Sequence, residues 1–289
     1  MRFDAQSYLG WLPSPPQTFS DQLHEAVVGE SALLWQKLMS WNLSERALTS
    51  VGKAFENWRK NTHASALEEV RLLILSNNTT KHLINPIIAS GLRYGLDLRI
   101  QAVSYLEADT FAEIRGDDIR EFNPSVILLA FDHRGYPIRE GLGSESDEKT
   151  VVEDCIHQWS IRFDGLKTAS NAVQIVQTVA LPPSTTFGHI DAQVFGSNQR
   201  VITRLNTWIT EAAQSGHQSL FDIATLASSV GTSNWFDERL YNLGLFPFSL
   251  TYVPLYADHV CRKLAAIHGK SKRVLVLDLD NTLWGGGGR

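Results

Sequence analysis

Two cysteines in 289 residues, Cys155 and Cys261, are too few and too far apart for a disulfide scaffold or a cysteine-rich zinc module. No apolar run approaches the roughly 20 residues that span a bilayer. The first residues, with Arg2, Asp4 and Gln6 ahead of Pro13, Pro15 and Pro16, lack the apolar stretch of a secretory signal, so a cytoplasmic protein is expected. Basic residues are not in excess: 26 Lys and Arg against 31 Asp and Glu give a formal charge of −5. Nothing there would neutralise a phosphate backbone, so neither nucleic acid nor membrane is an expected partner. What is present is ordinary globular material, 43% hydrophobic and 20% charged, enough for a sizeable core.

The chain reads as helical first and alternating later. Leu23, Val27, Leu33, Leu34 and Leu38 recur at helical spacing over 20–39. Asn42 or Ser44 can cap a second helix to about Lys60, bearing Leu48, Val51, Ala54, Phe55 and Trp58. A helical hairpin is therefore expected over 1–65, and its faces need a partner. From Val70 the pattern changes. Continuous apolar runs at 70–75, 98–103, 126–131, 172–179 and 220–223 read as buried strands. Helices are predicted between them at 80–94, 111–122, 151–159 and 201–213, then from Pro247 to about Ile267. Residues 141–150 read as a polar loop, and 182–198 as a long loop. Alternation of this kind predicts a three-layer α/β/α fold around a mainly parallel sheet. In such sheets function sits at the carboxyl ends of the strands.

The sharpest motif is VLVLDLDNTLWGG, residues 274–286. An aliphatic strand delivers Asp278 and Asp280 into the loop at its end, both on one side with Leu279 turned away. Two carboxylates there suit Mg²⁺. One can attack phosphorus while the other protonates the leaving oxygen, and Thr282 can hold a phosphate oxygen. This resembles motif one of the haloacid-dehalogenase-like (HAD) phosphatases, and DLDNTLWGG is closer still to the FkbH-like proteins. The resemblance extends upstream through LILSNNTT (73–80), FNPSVILLAFD, GHIDAQVFGSN and GTSNWFDERLYNLGLFPFS (231–249). It implies an enzyme that takes a glyceryl unit from a phosphorylated three-carbon donor and loads it onto an acyl carrier protein. Asp278 would be the nucleophile, Asp280 the acid/base, and Mg²⁺ the cofactor, held by these two carboxylates. Nine residues after Asp280 leave no room for the further Ser or Thr, Lys and acidic pair of HAD chemistry. The expected organisation is a helical region (1–65), an α/β/α domain (66–270), and the first strand of a HAD domain (271–289). Mg²⁺ binding by this stretch alone is expected to be weak or absent.

The same resemblance implies an SGNH-hydrolase-like fold, flavodoxin-like in architecture, for the region before the HAD domain. Such hydrolases need a nucleophilic Ser after the first strand and a DxxH pair near the end, because the hydroxyl is inert until His takes its proton. The register puts Asn78 at the nucleophile position. Asp237 is kept, but Leu240 stands where His belongs, so the triad is expected to be lost. Ser76 is the fallback nucleophile, with His133, His189 or His259 as conceivable bases.

Other residues admit two roles. Asn77, Asn78 and Thr79 either line a pocket or cap the following helix. Asp132 and His133 either meet a ligand or form a turn. His189 and Asp191 belong to a lid or to a polar surface loop. Trp235, Phe236, Tyr241, Phe246 and Phe248 serve core packing or ligand stacking.

Overall fold

Val70, Leu72 and Ile74 project to one side of the first strand, and Leu73 and Leu75 to the other; all five are buried. A strand apolar on both faces demands a helical layer on each, and the computed structural model of the chain supplies both. It describes residues 9–62, 66–104, 116–139, 143–215, 218–272 and 274. Five strands form one parallel sheet: β1 (Glu68–Ser76), β2 (Leu96–Ser104), β3 (Val126–Leu129), β4 (Val173–Gln177) and β5 (Gln218–Phe221). Their spatial order is β2-β1-β3-β4-β5. The register runs Leu72↔Ile100, Leu72↔Val126, Val126↔Val173 and Gln174↔Gln218. The order reverses between β1 and β3, the crevice where doubly wound sheets bind their ligands.

The three-layer α/β/α architecture expected from the sequence is present. One face carries α4 (Lys81–Arg93), α8 (Ile223–Val230) and α11 (Val253–Ile267). The other carries α5 (Gly116–Phe122), α6 (Glu145–Ala169) and α7 (Asn198–Gln214). Two short helices, α9 (Thr232–Trp235) and α10 (Glu238–Gly244), lie between α8 and α11 in sequence.

The helical region before β1 is present as three helices: α1 (Phe19–Val28), α2 (Ala32–Leu38) and α3 (Glu45–Trp58). The first predicted helix is divided at Gly29. Ser31 then starts α2 by accepting a hydrogen bond from Leu33 N at 3.3 Å. The break ruins the single apolar stripe, so Val27 and Leu33 are exposed. Ser44 caps α3, accepting from Ala47 N at 3.4 Å. Trp35, Phe55 and Trp58 form an aromatic cluster that belongs to the same continuous core as Leu72 of β1 and Ile87 of α4.

Two further boundaries differ from the sequence reading. Residues 145–150 are helical, because Ser144 and Asp147 form a reciprocal capping box: Ser144 N donates to Asp147 Oδ2 at 2.7 Å, and Asp147 N to Ser144 Oγ at 3.3 Å. The long loop before α7 contains a 3₁₀ turn at Gly188–Gln193.

The contact of α3 with α4 gives a test with an inverted sign. A Cβ on Gly52 would stand 2.3 Å from the backbone oxygen of Asn85. Helix propensity alone favours Gly→Ala by about 1 kcal/mol. Here Gly52→Ala is expected instead to destabilise by roughly 1–3 kcal/mol, since only backbone can yield. Urea unfolding measures it, and a gain in midpoint would disprove the close approach.

Candidate functional site

The site candidates gather where β1 and β3 end. Ser76, the last residue of β1, is 1% exposed, and its hydroxyl donates to Ala130 O at 2.8 Å. The same oxygen accepts from Asn78 N at 3.1 Å, so it serves as a turn-former inside the protein. Asn77 faces the loop after β3. Its Nδ2 donates to Asp132 Oδ1 at 2.8 Å, and its Oδ1 accepts from Asp132 N at 3.0 Å. These two bonds lock the β1 and β3 loops together across the topological switch. Asn78 is 1% exposed, and its Nδ2 donates to Asn77 Oδ1 at 3.2 Å.

Asp132 collects further donors. Arg134 N reaches Oδ1 at 2.9 Å, starting the turn His133–Gly135, and the Arg134 guanidinium pairs with Oδ2 at 2.9 Å. That guanidinium lies 3.4 Å from the centre of the Tyr241 ring on α10. His133 meets Phe236 edge to face at 5.9 Å. Gly135 is needed for closeness: a Cβ there would come within 2.9 Å of Asn77 Cγ and Phe131 Cδ1. A second tie comes from Leu245, held left-handed at φ 55°, whose carbonyl accepts from Thr79 N at 3.0 Å.

The cavity behind Ser76 and Asp132 measures about 30 Å³ and is walled by Phe131, Trp235, Phe236 and Tyr256. That is room for about one water molecule. Trp235 and Phe248 stack at 4.5 Å and Phe248 meets Tyr256 at 4.9 Å, so these aromatics pack the core.

The remaining sequence candidates lie elsewhere. Asp237 follows Phe236 in the chain, but its carboxylate caps α10, accepting from Leu240 N at 3.0 Å. Asp191 is 2% exposed and holds its own loop by accepting from Phe187 N at 2.7 Å, while His189 is exposed. His259 lies on α11, where burial lowers its pKa. Among the described residues no hydrogen bond joins Ser76 to a histidine. Asp278, Asp280, Thr282 and the predicted strand 274–277 lie outside the described residues, Val274 excepted. No group of three His, Cys, Asp or Glu side chains suited to a metal ion occurs among the described residues. No helix among them is long and apolar enough to cross a membrane.

The sequence names Asn77, Asp132 and Tyr241 as candidates but gives no sign of Arg134 or His82. His82 packs against Phe246 at 4.6 Å, and burial lowers its pKa from 6.5 to about 4. The unfolded chain thus binds a proton that the native protein refuses between these values. Stability is expected to fall as pH drops from about 6.5 towards 4, then to level off for this group. His82→Phe should flatten that part of a urea-midpoint profile; an unchanged slope would show that other groups carry it.

No family model matches the sequence, and no curated protein does. Solved structures do. The N-terminal part of BF1531 from Bacteroides fragilis, described as containing a phosphatase domain complexed with Mg, is similar at TM-score 0.70 and 19% identity. The match covers 85% of this chain and 62% of that one. A putative acylhydrolase, BF3764 from Bacteroides fragilis NCTC 9343, matches at TM-score 0.41 and 14% identity, over 70% of this chain and 88% of its own. An acetyl xylan esterase, AlAXEase, matches at TM-score 0.41 and 11% identity, over 66% and 98%. The first likeness establishes a shared fold, in agreement with the resemblance to the N-terminal region of FkbH-like proteins. The other two are too distant to carry an argument.

Proposed function

We propose that the chain is the N-terminal region of an FkbH-like phosphatase/transferase. Its α/β/α domain, 66–270, serves recognition of an acyl carrier protein or scaffolding, and performs no ester chemistry of its own. The catalytic domain opening at 271 would dephosphorylate a three-carbon donor and load a glyceryl or related unit onto the carrier. There Asp278 would attack phosphorus and Asp280 would protonate the leaving oxygen, the same two carboxylates holding Mg²⁺. Two things support this reading: the DLDNTLWGG segment, and a fold shared with a protein described as containing a phosphatase domain with Mg.

One observation carries the non-catalytic part. The hydroxyl of Ser76, the fallback nucleophile, is buried and already donates its proton to Ala130 O. Asn78 offers no hydroxyl and Leu240 no base. Nucleophile and base act as a unit, so losing either removes most of the effect.

Purified protein is expected to turn over a p-nitrophenyl ester no faster than the blank, and Asn78→Ser is expected to remain inactive. Turnover that vanishes in Ser76→Ala would replace this reading with an SGNH-type esterase or acyltransferase. Titration with a holo-carrier protein is expected to give saturable calorimetric binding; absence of heat and of amide shifts would leave scaffolding alone.

A further inference from the structure

The opposite end of the sheet holds a larger space than the candidate site. Where β4 and β5 begin, the carboxyl-terminal halves of α6 and α7 enclose a cleft of about 490 Å³. That is within the roughly 300–1,000 Å³ of small-molecule sites. We propose that this cleft is a binding site for an uncharged, ring-shaped polyol of pyranose size.

The floor is a pair of carboxamides. Gln174 and Gln218 are register partners on β4 and β5, and both line the cleft. Alternation turns Gln174 to the same side as Val176, towards α6 and α7. Gln174 is 7% exposed, an uncommon place for an amide in a buried strand. Its Nε2 makes one long bond, 3.5 Å, to Phe163 O, and its side chain lines the cleft. A carboxamide at the floor of a cleft can both donate to and accept from a ligand hydroxyl. Gln218 adds a second amide to the same lining.

The walls are the rings of Phe163 and Trp208, the first buried and the second half-buried. Flat apolar faces beside amides fit a molecule with C–H faces and a hydroxyl edge. Charge selects against anions. Both helices point their carboxyl ends here, through Ser170 and Ser215, and so present partial negative charge. The rim charges, Asp164 and Lys167, offset each other. A phosphorylated ligand would meet no net attraction. This inference stands independently of the function proposed above.

The test uses saturation-transfer NMR on the whole chain with methyl glucopyranoside, methyl mannopyranoside, N-acetylglucosamine and adenosine. At least one glycoside is expected to receive saturation and to shift the Trp208 indole resonance. Gln174→Leu, close in size and removing only the 3.5 Å bond, is expected to weaken binding roughly ten-fold while keeping the wild-type urea midpoint. Trp208→Phe, which keeps an aromatic wall, is expected to retain part of it, and Trp208→Ala none. Saturation of adenosine alone would overturn the ligand class. No saturation of any glycoside, or saturation unchanged in both Gln174→Leu and Trp208→Ala, would overturn the site.

Discussion

Asp258→Ala is expected to lose about 3–5 kcal/mol of stability, the cost of leaving buried charge unpaired. Asp258 is fully buried on α11. Arg93 of α4 donates to its Oδ1, which also accepts from Tyr94 OH at 3.0 Å, and Arg262 pairs with Oδ2 at 2.7 Å. The Arg93 side chain is only 9% exposed, so removing the carboxylate strands a guanidinium in the protein. Burial and the Asp258 charge together push the Tyr94 phenol up to about 12, so it remains a proton donor to this cluster at any ordinary pH. The cluster is closed outwardly by Trp11, whose ring lies 5.6 Å from the Arg93 guanidinium and 5.3 Å from that of Arg262. Urea unfolding should show the loss. The double variant Asp258→Leu with Arg93→Met should recover most of it, since a well-packed apolar pair is often neutral in place of a buried ion pair. A single variant within about 1 kcal/mol of wild type would mean that the pair is solvated.

Trp35→Ala is expected to cost a similar amount, about 3–5 kcal/mol, for a large aromatic removed from a packed core. Trp35 is fully buried and meets Phe55 at 5.2 Å and Trp58 at 5.6 Å. The Trp58 indole N–H is bonded to Gly29 O at 2.7 Å, so this cluster also fixes the break between α1 and α2. Because the cluster is continuous with the sheet's core, tryptophan fluorescence and far-ultraviolet dichroism should report one coincident, shifted transition. Two separated transitions would show that 1–65 folds as a unit of its own.

The apolar strands were legible because burial on both faces writes an unbroken run, as in Val126–Leu129. The α6 start was also written, in Ser144 and Asp147, but a polar capping turn looks like a loop until its reciprocal bonds are seen. The α1–α2 break rests on Gly29 and Ser31, a signal that an otherwise continuous helical stripe masked. At the site, position was legible and pairing was not. Asn77 and Asp132 each follow a strand, yet their mutual bonds span 55 residues of sequence. The stacking of Arg134 on Tyr241 had no local sign at all, since it depends on where α10 comes to rest. The carboxamides of Gln174 and Gln218 left a trace, polar residues within apolar strands, that acquires meaning only once β4 and β5 are neighbours.

The placement of α11 has a consequence for how the protein is made. This helix packs against α4, bonding Arg93 across 165 residues of sequence, and its end is tied to the start of β1 by His268 and Lys270 on Glu68. A chain emerging in order from the ribosome therefore completes all five strands while one face of the sheet still lacks this cover. Val253, Leu255, Tyr256, Val260 and Leu264, all buried in the finished fold, arrive only afterwards. Until then an apolar surface is available to chaperones or to other nascent chains, a known hazard of long-range closure. Yield in cells should thus depend on how soon α11 clears the exit tunnel, so extra sequence fused after it ought to aid folding during synthesis and a stop just before it ought to send the protein to aggregates.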